Sequence, residues 1–422
     1  MPSKGISKLE TSSIGKLMAE LCVQATFSVM LYNIYIITDT LFVSKGVGST
    51  ASGAIGVFSP VLVFVGGISS TLGVGSGSII SIRCGIWTYH AAGQWQSWLA
   101  SVTKNIRGRD TMESLTKNRQ NEEMLRKMVG RFFHPLEFQS YKELTEGYFN
   151  VAYEVTLSSG EAVILKVAPA NGIRVMTYER NIMCAEVQAM EMALEHGGIP
   201  VPKVLGYDDS HTICESSYFF MEKLKGSNLH EIKDAFTQEQ INGIYGETGR
   251  INKEINSIAC PCFGYSGQPE FQGKDWYMVF RRMLEAGISD ARQGNVDLKI
   301  PVDELLRYLE WDKDIFAEVT EPRLVHWDLW DGNIFVSDGV ITGLIDWERC
   351  IWGDPLLEVG FRTHSDNTFF RKGYGMKAFT KSQERRSLWY DIYLFVLVSL
   401  ECEYRKYETM DTVSYTHLIR IL

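Results

Sequence analysis

Residues 324–336 read LVHWDLWDGNIFV, where His326, Asp328, Asp331 and Asn333 interrupt an apolar, strand-like run. A buried strand normally excludes such groups, because an unpaired charge taken out of water costs several kcal/mol, roughly, unless a partner answers it. The spacing points to a metal ion or a reacting substrate as that partner. Downstream come IFVS, then Asp338-Gly339, then VITGLID, and Asp-Gly between alternating apolar runs predicts a two-residue hairpin. Pairing Ser337 with Val340 sets Asn333 opposite Leu344, with Asp346 two residues beyond. Both oxygen donors then leave one end of the hairpin, about 7 Å apart at roughly 3.4 Å per residue. Such a pair suits Mg²⁺, a hard ion bound by few protein oxygens and completed by phosphates and water.

Asp328 enters this hairpin on a loop, and His326-x-Asp328-x-x-x-x-Asn333 has the spacing of a kinase catalytic loop, with a variable residue where protein kinases carry Arg. In that pattern Asp328 orients the attacking hydroxyl and accepts its proton late in transfer, while His326 braces the loop. Asp331, taken singly, reads as a surface turn acid. Jointly the constellation implies phosphoryl transfer.

Upstream, YFNVAYEVTLSSGEAVILKVAP predicts two β-branched strands joined by a turn at Ser159-Gly160. Lys166 interrupts the second strand, either as an edge lysine reaching to water or as a lysine that grips nucleotide phosphates. The next stretch places Met183, Val187, Met190 and Leu194 at helical spacing, and Gly197-Gly198 ends it. Glu186 lies beside that stripe and is a candidate to hold Lys166; Glu179 is the competing one. The apolar run YFFMEKLKG suits a hinge between lobes, where adenine would meet the backbone from Met221 to Lys223.

The chain has 422 residues, 45% of them apolar and 12% aromatic, which suffices for at least one large core. Residues 1–100 carry only 5 of the 42 Lys and Arg and 3 of the 51 Asp and Glu, so the remainder is acidic. An acidic body argues against a nucleic-acid partner and is compatible with a cationic small-molecule substrate. The sequence points to no protein partner. Eight cysteines without a C-x-x-C pair read as reduced thiols in a cytosolic protein, Cys260-Pro-Cys262 included.

Residues 21–43 hold a single charge, Asp39, and residues 53–82 hold none, so each is long and apolar enough to span a bilayer as a helix. Lys and Arg flank the outer ends of the pair, which places both ends and everything downstream in the cytoplasm. The runs YNIYIITDTLFV and GGISSTLGVGSGSII resemble the opening two helices of a MATE-type multidrug exporter. Two helices of some twelve cannot transport alone, so the block, residues 1–83, reads as a fragment or a membrane tether. Residues 84–111 read as an irregular fusion or frameshift junction, Met112 as the start of a second protein, and residues 413–422 as a non-native tail.

From Met112 the chain resembles the aminoglycoside phosphotransferase and choline kinase superfamily, on LVHWDLWDGNIFV, GLIDWERCIWGDPLLE and INSIACPCFGY with its downstream WYMVFRRMLEAGISDA. The resemblance implies an α+β, two-lobed protein-kinase-like fold, with a small β-sheet lobe over residues 112–226 and a helical lobe over 227–412. Carried over by position, Asp328 looks like the catalytic aspartate, Asn333 and Asp346 like the metal ligands, and Lys166 and Glu186 like the phosphate clamp. Asp354 looks like the acid that braces the catalytic loop. The nucleotide loop, EGYFNVAYEV, offers Gly147 where protein kinases have three glycines. The expected activity is ATP- and Mg²⁺-dependent phosphorylation of a hydroxyl on a small, cationic, aminoglycoside-like molecule. A choline, amino-alcohol or sugar kinase and a nucleotide-binding pseudoenzyme are the alternatives. Trp330, Trp347 and Trp352 flank the motifs and would either pack the core or stack a sugar or quaternary ammonium.

Overall fold

The computed structural model describes residues 115–145, 149–298, 301–362 and 367–405. The exporter-like helices, the junction at 84–111, Gly147 and the tail at 413–422 lie outside the described residues. Among the described residues, no helix is long and apolar enough to cross a membrane.

Helix α1 (Glu122–Phe132) starts where the Asn121 side chain accepts the Met124 N–H, and it turns Leu125, Met128 and Val129 inward. There follow β1 (Phe138–Leu144), β2 (Val151–Leu157), β3 (Ala162–Val167), α2 (Ile182–His196), β4 (Val204–Asp208) and β5 (Tyr218–Glu222). The strands form one antiparallel sheet in the order β1-β2-β3-β5-β4. The two-residue period of a strand decides which face each side chain takes. Val151, Tyr153 and Val155 of β2, Val163 and Leu165 of β3, and Phe220 of β5 pack with α1. Ile164, Phe219 and Met221 alternate with them and pack with Met183, Val187 and Met190 of α2.

Lys166 pairs across the sheet with Ala152 and Phe219, so β3 is an interior strand and the edge-lysine reading fails. The turn into β3 does fall at Ser159-Gly160, with Gly160 at φ 85°, a conformation that favours glycine. Leu194, expected on the buried stripe of α2, is 45% exposed, because the last turn of the helix carries it out of the packed core.

Beyond Glu222 come β6 (Ser227–Asn228), α3 (Leu229–Ile232), α4 (Gln238–Ile255), α5 (Trp276–Gly294), α6 (Val302–Trp311) and α7 (Lys313–Phe316). They are followed by β7 (Arg323–Val325), β8 (Ile334–Ser337), β9 (Val340–Leu344), β10 (Ile351–Gly353), α8 (Thr368–Tyr374) and α9 (Lys381–Arg405). β6, β8 and β9 make a three-stranded sheet, while β7 pairs with β10. Ile334, Val336 and Leu344 join the core formed by α2 and the inner face of the five-stranded sheet.

The β8–β9 turn is the expected Asp338-Gly339, both at positive φ (52° and 78°), as a primed hairpin turn requires. Its register differs by one residue from the expectation. Ile334, not Asn333, faces Leu344, because a bulge between Phe335 and Val336 admits an extra residue on β9. Thr342 sits at this irregularity and donates its hydroxyl to the Lys225 carbonyl at 2.7 Å. Asn333 instead accepts the Ile345 N–H through its own carbonyl at 3.0 Å, one residue from Asp346.

Helices α4 and α8 approach so closely that a methyl group on Gly249 would run into the Phe370 carbonyl oxygen, whereas one on Gly243 would meet nothing within 4 Å. Gly249→Ala is therefore expected to lower stability by about 1–3 kcal/mol, as overpacking does. Gly243→Ala, on the same helix, is expected to raise it by up to about 1 kcal/mol. Denaturant unfolding of both variants checks the contrast.

Candidate active site

Lys166 extends from β3 toward α2 and the turn after β9. Its Nζ lies 2.7 and 2.9 Å from the two oxygens of Glu186 and 2.9 Å from Asp346 Oδ1. Burial by itself lowers an ammonium pKa, but Asp346, Glu186 and Glu348 together outweigh it and hold Lys166 above its ordinary value. Burial pushes Asp346 up, yet Lys166 prevails and keeps that carboxyl below the usual range. Glu186 is fully buried, and burial raises its pKa despite the lysine. Glu179 is committed elsewhere, to the Arg405 guanidinium at 2.6 Å and the Met176 N–H at 2.8 Å.

The loop from His326 to Asn333 joins β7 to β8. Its entry is strained: Trp327 has φ 67°, and Asp346 across the site has φ 64°, both in the left-handed region that non-glycine residues avoid. The Trp327 ring stacks on Tyr393 of α9 with centroids 5.7 Å apart. His326 is fully buried, and desolvation pushes its pKa down to about 4. A neutral ring fits its contacts: Nε2–H donates to the Ile345 carbonyl at 3.0 Å while Nδ1 accepts the Asp328 N–H at 3.3 Å. His326 thus ties the loop to the turn after β9 that carries Asp346. Asn333 Nδ2 donates to the Asp328 carbonyl at 2.8 Å and to Asp328 Oδ2 at 3.1 Å. Burial raises the Asp328 carboxyl to about 7, against the opposing charge of Arg349.

Asp354 does not brace this loop. Its Oδ1 accepts the Leu356 N–H at 3.0 Å, and its Oδ2 accepts from Arg386 Nε at 2.9 Å and the Tyr390 hydroxyl at 2.7 Å, so it fastens α9. The bracing acid is Glu358, which accepts the Trp327 N–H at 3.0 Å and the Leu329 N–H at 3.1 Å. The turn Pro355–Leu357 separates the two acids and points them in different directions. Asp331 is no free surface acid either, since it accepts from Lys233 at 3.1 Å and from the Tyr245 hydroxyl at 3.1 and 3.2 Å.

Met221 is buried on β5, and Lys223 just beyond it is exposed and bonded to Glu154 at 2.8 Å. Of the three tryptophans, Trp347 and Trp352 pack the core and Trp330 is 43% exposed, its ring centroid 5.5 Å from that of His230. Sequence reading missed three contributors. Glu348 accepts from Asn150 Nδ2 at 2.9 Å, burial raising its pKa well above the usual value. Asn150 belongs to the stretch EGYFNVAYEV expected as the nucleotide loop and directly precedes β2. Arg349, beside Asp328, is ion-paired with Glu401 of α9. Glu348 and Arg349 of DWER were on view, but their partners lie 198 and 52 residues away in the chain.

Glu186, Asp346 and Glu348 bring ligand oxygens within 4.8 Å of one another. Glu186 spends both oxygens on Lys166, which removes it as a metal ligand. Asp346 Oδ2, Glu348 Oε1 and Asn333 Oδ1 take no hydrogen bond among the described residues and make a hard donor set of the kind that fits Mg²⁺.

Because Glu358 reaches the loop only through backbone N–H groups, Glu358→Gln is expected to cost about 1–3 kcal/mol of stability. Steady-state kinetics should show a lower kcat with the KM for ATP nearly unchanged, since Lys166 and its partners are untouched.

A family model described as the phosphotransferase enzyme family matches residues 140–375. The chain is 28% identical over 172 residues to an aminoglycoside 3'-phosphotransferase of Enterococcus faecalis, covering 40% of this chain and 60% of that one. It is 21% identical over 234 residues to "Probable acyl-CoA dehydrogenase IBR3" of Arabidopsis thaliana, covering 54% of this chain and 28% of that one. The chain thus spans less than two thirds of the length of these curated relatives. Among solved structures, it is similar to the streptomycin–ATP complex of APH(2'')-IIa (16% identity, TM-score 0.49, 72% of this chain and 97% of that one). It is also similar to the ADP and hygromycin B complex of an APH(4)-Ia variant (16% identity, TM-score 0.47, 65% and 90%). The family match begins at residue 140, beyond the exporter-like block, and supports the small-molecule kinase expected from the sequence. It covers more than half of the chain and takes in Lys166, Asp328 and Asp346 with their immediate partners, and on that ground the chain belongs to the phosphotransferase enzyme family.

Proposed function

We propose that this protein transfers the γ-phosphate of ATP to a hydroxyl group of a small molecule, with Mg²⁺. The observation that carries the reading is the buried Lys166 ammonium, held by Glu186 and Asp346, in one site with a carboxyl, Asp328, whose pKa stands near neutrality. Lys166 is fixed where it can meet phosphate oxygens, and its raised pKa keeps it charged. Asp328 has one oxygen on Asn333 and one left to accept the acceptor hydroxyl. Ionised, it aligns that hydroxyl and takes its proton as the bond to phosphorus forms. His326, neutral and bonded on both nitrogens, holds the loop and moves no proton.

Asn333, Asp346 and Glu348 would hold Mg²⁺, which when bound would neutralise charge on the phosphates. The backbone from Met221 to Lys223, where the chain leaves the five-stranded sheet, is the place for adenine, and Gly147 belongs to the phosphate loop, outside the described residues. A pseudoenzyme would not need the intact set of Lys166, Asp328, Asn333 and Asp346. An aminoglycoside-like acceptor is supported by the name of the Enterococcus relative; choline, amino-alcohol and sugar acceptors use the same chemistry. A membrane tether at residues 21–82 and a cytoplasmic location rest on the sequence alone.

Replacing Asp328 with Asn in the full chain is expected to lower acceptor-dependent ATP turnover at least about 100-fold. In the unaltered protein, kcat/KM should fall as pH drops below about 7, because the working form of Asp328 is ionised. Its raised pKa has the opposite effect on stability. The folded state binds a proton that the unfolded state releases near pH 4, so this contribution is present at low pH and is lost as pH rises through about 7. Asp328→Asn should therefore melt no lower than the parent at pH 8. An unaltered turnover in the variant would sink the reading.

A further inference from the structure

The connection from β1 to β2, residues 145–150, carries Gly147 as its only glycine. A loop rich in glycine lets its backbone follow a ligand, whereas one with a single glycine takes its shape from what its side chains touch. Here the last two residues of the connection both meet the helical lobe. Asn150 donates to Glu348 at 2.9 Å. Phe149 is buried, and the guanidinium of Arg405, the last described residue of α9, lies 5.3 Å from the centre of its ring. Ala152, two residues beyond Asn150, pairs with Lys166 across the sheet, so the connection ends beside the buried ammonium.

Resting on the kinase reading, we infer that Arg405 is a positioning residue for the nucleotide: through Phe149 it sets the loop that covers the phosphates, without touching the nucleotide itself. Arg405 is buried and fixed in place, donating to Glu179 at 2.6 Å and lying 3.6 Å from Glu401. Glu401 also pairs with Arg349, so two guanidinium groups share two acids and neither charge is left unanswered. Glu179 lies on the segment that leads into α2, and its neighbours are anchored to the helical lobe as well. Thr177 bonds Asp290 through its N–H and its hydroxyl at 2.7 and 2.8 Å, and the Tyr178 hydroxyl donates to Glu401 at 3.0 Å. A guanidinium makes its hydrogen bonds in its own plane and still attracts an aromatic ring, most strongly where water is excluded. Acids from both lobes therefore orient Arg405, and Arg405 orients the ring that closes the loop. The connection is held by side chains at the position where its composition gives it little glycine.

The test is equilibrium binding of ATP with Mg²⁺, and of adenosine, to the full chain by calorimetry. Adenosine lacks the phosphates, so a residue that shapes the phosphate loop separates the two ligands, whereas a general loosening of the fold weakens both. Arg405→Gln is expected to raise the Kd for ATP about five- to twentyfold and to leave that for adenosine within about twofold. Arg405→Lys keeps a cation beside the ring and should recover part of the loss. Phe149→Leu leaves Arg405 paired with Glu179 and should show the same ATP-specific loss; it decides the question if Arg405→Gln does not fold. Tyr404→Phe alters the adjacent residue of α9, which is bonded to Arg174 and to the Asp290 carbonyl, and should change neither Kd. Equal weakening of both ligands, or an ATP affinity indifferent to Phe149→Leu, overturns the inference and leaves the kinase reading to its own test at Asp328. An unaltered chain that does not bind ATP overturns both.

Discussion

A buried ammonium ion on an interior strand is the constraint from which the rest of the site follows. Lys166 sits between two neighbouring strands with an aromatic ring, Phe219, facing it across the sheet, and it is 8% exposed. Left unanswered, such a charge would cost several kcal/mol, roughly, or lose its proton. Its answers come from two other parts of the chain, Glu186 on α2 and Asp346 on the turn after β9. The ion pair therefore forms only when sheet, helix and hairpin are docked together. Core residues from all three share one apolar cluster, and burial of that apolar area supplies the driving force for docking.

The loop from His326 to Asn333 is held from beneath in a comparable way. Two left-handed residues, Trp327 and Asp346, carry strain that only over-determined surroundings maintain. Glu358 takes two N–H groups of the loop, His326 joins the loop to the Ile345 carbonyl, and Tyr393 stacks on Trp327. Helix α9 contributes that tyrosine and also Glu401, which neutralises Arg349. The last turns of a C-terminal helix thereby decide how much positive charge faces Asp328.

Much of this was legible in the chain itself. The Asp-Gly turn, the strand carrying Lys166, the helix ending at Gly197 and the spacing from His326 to Asn333 are local facts, set by backbone preference and by the period of a strand or a helix. Those facts place Asp328, Asn333 and Asp346 near one another even with the hairpin register one residue off, since a bulge moves Asn333 by a single position without changing the end of the hairpin from which it emerges. The choice between Glu186 and Glu179 was not local. It was made by Arg405, more than two hundred residues downstream, which claims Glu179 and leaves Glu186 to the lysine.

The same division holds for the remaining residues. Sequence by itself determined the identity and order of the groups proposed to react, because their spacing is short and each sits on a predictable element. Tertiary structure decided their partners: that Glu358 rather than Asp354 supports the loop, that Trp347 and Trp352 are core while Trp330 is exposed, and that Arg349 is matched by Glu401. These are outcomes of packing between elements far apart in the chain, where burial fixes which charges must be paired and geometry fixes which partner can reach.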